Sequence, residues 1–188
     1  REKVLRAMNK LGYSSNRAAQ ALRRGSFKTI GVLTQQIQRT GEALTTAGVL
    51  EAATAADYAV NLIQVERPVS DDLRQAVYRL SHQAIDGLVV VQAGRAGREH
   101  LALPPSMPVA VSDSTLVDYY PSASADQVGG VREAVEHLLG LGHRNIQHVC
   151  GPGDSQSSLI RRATWARCLR EAGREVPEPV PGDWEAAA

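Results

Sequence analysis

The chain has 188 residues, room for one sizeable domain plus a smaller piece, and an ordinary apolar share of 43%. No apolar run reaches the roughly 20 residues that span a bilayer, and the basic, helix-patterned start is unlike a secretory signal. The formal charge of +1 hides an asymmetry: residues 1–28 hold eight Lys/Arg and one Glu (+7), leaving 13 basic and 19 acidic residues (−6) elsewhere.

A basic head on an acidic body suits a polyanion-binding arm joined to a soluble domain; the alternative is a merely solvated basic helix face. Cys150 and Cys168 have no metal or redox spacing, so free thiols in a reduced cytoplasm are expected. Val4, Leu5, Met8 and Leu11 recur at helical spacing and Gly12 stands at a C-cap position, predicting a helix over 1–11. The first residue is not Met and already lies within this periodicity, so further sequence is expected upstream. Tyr13–Asn16 is a polar connector, with Ser15 or Asn16 able to cap a short helix over 16–24 that Gly25 ends. At about three turns that helix is too short to be stable alone in water. It carries Arg17, Arg23 and Arg24 with one large apolar side chain, Leu22. Such a segment is conditional: it folds on a partner.

From Ile30 the pattern alternates. Ile30–Leu33 predicts a strand, Gly41–Tyr58 a helix, Ala59–Gln64 a strand, Ser70–Gln83 a helix with Ser70 as its cap, and Leu88–Val91 a strand buried on both faces. After Pro104-Pro105 come a strand over Met107–Val111, a helix over Gln127–Leu141 ending at Gly142, a strand over Asn145–Cys150 and a helix over Leu159–Ala172 ending at Gly173. Strand and helix in alternation predict an α/β fold with a doubly wound parallel sheet, which binds ligands beyond the carboxyl ends of its strands. Pro177–Pro181 is a rigid connector.

Three blocks carry a resemblance: Lys3-Val4-Leu5 through Gly12–Asn16 and Ala19–Leu22 into Ile30–Leu33; then Asp86–Val90; then Gly129, Ala134, His137–Ile146 and Gly151-Pro152. In order and spacing the sequence resembles the lactose-repressor (LacI) family of bacterial transcription regulators along essentially its whole length. The resemblance implies a division into residues 1–28, the end of a DNA-binding headpiece plus a hinge helix (16–24), and residues 29–188, a periplasmic-binding-protein-like effector core, mainly its N-terminal subdomain. It also implies that the helix-turn-helix lies upstream of this sequence and most of the C-terminal subdomain downstream.

For the hinge, the resemblance implies minor-groove DNA binding by a dimer, with Leu22 as the apolar wedge and Asn16, Ala19 and Gln20 as neighbouring contacts. A side chain between bases trades unstacking for a bent, better-contacted duplex. Arg17, Arg23 and Arg24 can reach phosphates, a salt-dependent term without sequence information. The alternative is that Leu22 packs on the core and the arginines are solvated.

For the effector pocket, Asp113, Arg161 and Trp184 match sugar-contacting positions of the family's namesake, and Ser157 shares the loop. A carboxylate and a guanidinium can hold paired sugar hydroxyls while an indole offers its face to C–H groups, which points toward a galactoside-like effector. The competing reading makes Arg161 a contact for any effector and Trp184 plain core. Three departures stand out. Ser15 and Thr164 occupy positions usually held by proline and glycine, and Thr34–Thr40 lacks the usual loop sequence, leaving that pocket wall undefined.

Other signals are weak. Gly151-Pro152-Gly153-Asp154 lacks the Gly-Lys-Ser/Thr of a phosphate loop, the five histidines have no metal-ligand spacing, and no Gly-x-Ser-x-Gly elbow occurs. The expectation is therefore a cytoplasmic, effector-responsive repressor with no cofactor or metal and no enzymatic activity. Its partners would be operator DNA, a small sugar and its own copies in a homodimer or higher homo-oligomer, the apolar face of helix 41–58 serving as the dimer surface by resemblance. The rival is a sugar-binding protein of a transport system with the same core fold.

Overall fold

The computed structural model describes residues 2–10, 25–65, 70–81, 83–91, 106–113 and 116–184. In chain order the elements are α1 (Glu2–Lys10), β1 (Thr29–Thr34), α2 (Thr40–Ala55), β2 (Ala59–Gln64), α3 (Ser70–Ser81), β3 (Gly87–Val91), β4 (Val109–Ser112), β5 (Ser122–Ala123), α4 (Gln127–Gly140) and α5 (Gln156–Glu171). The five strands form one parallel sheet in the order β2-β1-β3-β4-β5.

β1 lies between β2 and β3 because its apolar run can be buried on both faces. On one face Leu33 joins Val77 and Leu80 of α3, with Leu88, Val90 and Val111. The alternate residue Thr34 turns to the other face, where its hydroxyl meets Glu42 of α2 at 3.3 Å. The two helices therefore cover opposite faces of the sheet, the doubly wound arrangement expected. Gly31 faces α3 where a Cβ would lie 3.0 Å from Ile85 Cδ1, which explains a glycine inside a central strand.

α4 and α5 pack on each other around a second, smaller core of Val135, Ile146, Trp165, Cys168 and Leu169. Trp165 stacks on His148 with ring centroids 5.3 Å apart, and its indole N–H donates to the Ile146 carbonyl at 3.2 Å. Burial holds the His148 pKa below its ordinary value, and the nearby Arg162 and Arg161 charges act in the same direction. Cys150 and Cys168 are free thiols. Among the described residues no helix is long and apolar enough to cross a membrane.

Several boundaries differ from the sequence reading. The strand expected over Asn145–Cys150 is reduced to a single parallel bridge, Val149 to Val180, because among the described residues its backbone pairs with the 180 region alone: Cys150 N–H to the Val180 carbonyl, and Val180 N–H to the His148 carbonyl, both 2.8 Å. α5 begins at Gln156, earlier than expected, since Ser155 caps it by accepting from Ser158 N–H. Ser70 is the first residue of α3 rather than its cap. β4 starts at Val109, after Pro108, whose carbonyl accepts from Leu88 N–H at 2.9 Å but which has no N–H of its own to give. The two-residue edge strand β5 was not legible at all.

Candidate effector-binding cleft

Beyond the carboxyl ends of β1 and β4 lies a cleft of about 560 Å³, bounded on one side by Arg39–Thr45 and on the other by Asp113, Gln127, Ser157, Arg161 and Trp184. For a sheet of order 2-1-3-4-5 this is the expected place for a ligand. All four effector-binding candidates from the sequence line it. Asp113 follows β4 directly, and Ser157 and Arg161 lie on successive turns of α5. Trp184 reaches in from the segment that pairs with Val149. A second cleft of about 520 Å³ adjoins it and shares Asp113, Ala125, Gln127 and Ser157.

Gln127, which sequence reasoning missed, connects the two charged members. Its side-chain carbonyl accepts from Arg161 Nε at 2.5 Å, and its side chain also hydrogen-bonds the Asp113 carboxylate. One amide thus links a guanidinium and a carboxylate across the cleft wall. Gln127 is placed by the cap of α4: Asp126 accepts from Gly129 N–H at 2.8 Å, and a Cβ on residue 129 would collide with that carboxylate. Burial pushes the Asp113 pKa up, while Gln127, the Ala125 N–H and the Arg161 charge counter part of that rise. The sequence signal, in retrospect, is a glutamine in the first turn of a capped helix at the sheet's carboxyl edge.

The opposite wall is the loop that the sequence left undefined. Glu42 is 1% exposed, and one carboxylate oxygen accepts from Gln36 N–H at 2.6 Å and Thr34 Oγ1 at 3.3 Å. Burial raises its pKa, against the Gln36 hydrogen bond and the Arg39 charge. Among the described residues, its other oxygen and Arg39 Nε are buried without a hydrogen-bond partner. This wall therefore carries one unsatisfied acceptor and one unsatisfied donor beside the cleft.

Trp184 is 38% exposed, so it is not the plain core that the competing reading allowed. The guanidinium carbons of Arg39 and Arg161 stand 5.8 and 5.5 Å from its ring centroid, within cation–π range. The indole rests against Gly151, where a Cβ would fall within the ring, so the Gly151-Pro152 pair provides room for an aromatic face rather than a phosphate loop. Asp113 and Trp184 both have positive φ, 47° and 64°. Strained backbone of this kind is concentrated at binding sites. Thr164, the other departure, is buried within α5. The DNA-binding candidates Asn16, Arg17, Ala19, Gln20, Leu22 and Arg23 lie outside the described residues, as does the whole expected hinge helix.

Residues 28–180 match the family described as periplasmic binding proteins and sugar binding domain of LacI family. The lactose operon repressor of Escherichia coli (strain K12) is 31% identical over 99% of this chain and 52% of its own length. The catabolite control protein A of Priestia megaterium is 27% identical over 98% of this chain and 57% of its own. The chain thus spans about half the length of the curated relatives it matches. Among solved structures, the lac repressor dimer bound to operator and the anti-inducer ONPF superposes with a TM-score of 0.83 at 29% identity, over 97% of this chain and 56% of that one. The lac repressor bound to ONPG in the repressed state gives 0.84 over the same shares, also at 29% identity. With the family profile covering most of its length, and with the parallel sheet and the cleft at its carboxyl edge in place, the chain belongs to the LacI-type family of periplasmic binding proteins and sugar-binding domains.

Proposed function

We propose that this chain is part of a transcriptional repressor that releases its operator when a small sugar, a galactoside as first candidate, fills the cleft. The supporting observation is the Asp113–Gln127–Arg161 chain beside Trp184. It provides a fixed acceptor and a fixed donor for adjacent hydroxyls, and an aromatic surface for the sugar's C–H groups. A sugar here bridges the sheet side of the cleft and α5, and so favours one arrangement of the two cores over others. It acts on DNA only through that difference in affinity.

DNA binding is assigned to residues 1–28, the headpiece end and hinge, and effector binding to residues 29–188. Leu22 is the minor-groove wedge, Asn16, Ala19 and Gln20 flank it, and Arg17 and Arg23 meet phosphates. The exposed ridge of α2, with Leu44 69% exposed and Ala47, Gly48, Glu51 and Ala55 on the same side, is the surface for a second copy. No enzymatic role is assigned.

A transport protein with the same core has no need of a +7 head. In the full-length protein, affinity for a near-palindromic duplex should fall by about three or more orders of magnitude between 50 and 200 mM salt, as six or more phosphate contacts dictate. An affinity nearly independent of salt would reject the DNA-binding assignment.

A further inference from the structure

Asp86, the residue before β3, uses its carboxylate on a segment 58 to 60 positions away. One oxygen accepts from Ser26 Oγ at 2.6 Å and from Lys28 N–H at 2.8 Å, and the other accepts from Phe27 N–H at 2.7 Å. The Thr29 N–H adds to the same cluster. Ser26 Oγ in turn accepts from Lys28 N–H at 3.3 Å, which closes the arrangement.

These donors sit at the junction between the basic head and the sheet. Gly25 has φ +68° and Lys28 φ +50°, so the backbone makes two left-handed turns within four residues, the second at a side chain that disfavours it. The Lys28 ammonium stands 4.3 Å over the Tyr58 ring, and the Lys28 carbonyl accepts from Ala59 N–H at 2.8 Å. β1 and β3 need none of this. Their register begins with Ile30 opposite Gly87, and the Asp86 N–H to Thr29 carbonyl bond is made by backbone alone. The carboxylate holds the exit path of the chain instead. Burial alone would raise its pKa, but the hydrogen bonds from Ser26, Phe27, Lys28 and Thr29 outweigh it and lower the value, as expected for an ionised group satisfied by several donors.

We propose that Asp86 is the positioning residue that couples the effector core to the DNA-binding segment, by fixing the direction in which residues 1–25 leave the sheet. This rests on the repressor function proposed above. Residues 25–28 are the covalent path from the core to the head. A loose junction would spread a core rearrangement over many chain directions, whereas a clamped one transmits it, and coupling free energy requires such a difference between defined states.

The test uses full-length wild type, Asp86→Ala and Asp86→Asn, with Glu175→Ala, at an exposed position just beyond α5 that belongs to neither cleft nor junction, as control. Without DNA, brief trypsin treatment should cut after Arg23, Arg24 and Lys28 about tenfold faster in Asp86→Ala, with Asp86→Asn between it and wild type. Operator affinity should fall about tenfold, and the galactoside-driven change in operator affinity should shrink, while galactoside affinity read by Trp184 fluorescence stays within about twofold. Unchanged cleavage and operator binding in Asp86→Ala overturn the proposal. So does a parallel loss of galactoside and operator affinity in both variants, which would make Asp86 merely structural. A wild-type protein that binds no DNA removes the repressor function itself, and the coupling role with it.

Discussion

Arg161→Ala is expected to weaken galactoside binding by roughly 30- to 150-fold, the effect of about 2–3 kcal/mol. The magnitude follows from what remains after truncation. Gln127 loses the donor that fixes its side-chain carbonyl, and the half-buried Asp113 loses the positive charge that favours its ionised form. The indole also loses one of its two neighbouring guanidiniums. Tryptophan fluorescence titration on the full-length protein reads the effect, with a Trp184→Phe variant identifying the Trp184 signal; Trp165 is buried in the second core. Equal affinities for wild type and variant would mean that Arg161 does not touch the ligand. Folding should survive, since Arg161 belongs to neither apolar core.

Gly151→Ala should be about as damaging for a different reason. Its new Cβ would occupy the position of the Trp184 ring, a rigid bicyclic group that cannot give way by a few tenths of an ångström. The indole must swing out, and because Trp184 already sits at φ 64° the segment has little freedom to follow without losing the Val149–Val180 bridge. Galactoside affinity should drop roughly 10- to 100-fold, the loss of one aromatic contact and of the preorganised wall together. Trp184 emission in the free protein should shift toward that of solvent-exposed indole. Unshifted emission with unchanged affinity would show that the ring does not rest on residue 151 in solution.

Most of the sheet could be read from the sequence, because a parallel strand buried on both faces leaves a continuous apolar run, as Leu88–Val91 and Ile30–Leu33 do. The end of the chain was harder to read. Asn145–Cys150 has a strand's composition, yet whether it pairs depends on neighbours remote in sequence. The Ser155–Ser158 run looked like loop because serine is weak in helix interiors and strong at caps, and the cap decided. For the cleft, Asp113, Ser157, Arg161 and Trp184 followed from the LacI resemblance, and the structure brings them together. Gln127, Arg39 and Glu42 did not follow. Each is a polar residue at or near a helix start, where composition suggests solvent exposure. Glu42 is buried only because α2 lays its first turn over the end of β1. The Asp86 clamp is a contact across nearly sixty residues, and no local pattern encodes it.

The most direct test of the regulatory claim follows both partners in one cuvette. The full-length protein on a labelled near-palindromic operator duplex is titrated with galactoside while DNA anisotropy and Trp184 fluorescence are recorded together. Release of the duplex over the same concentration range as the Trp184 change, with both responses shifted to higher concentration by Arg161→Ala, is the predicted result. A saturating Trp184 response with the duplex still fully bound would contradict it.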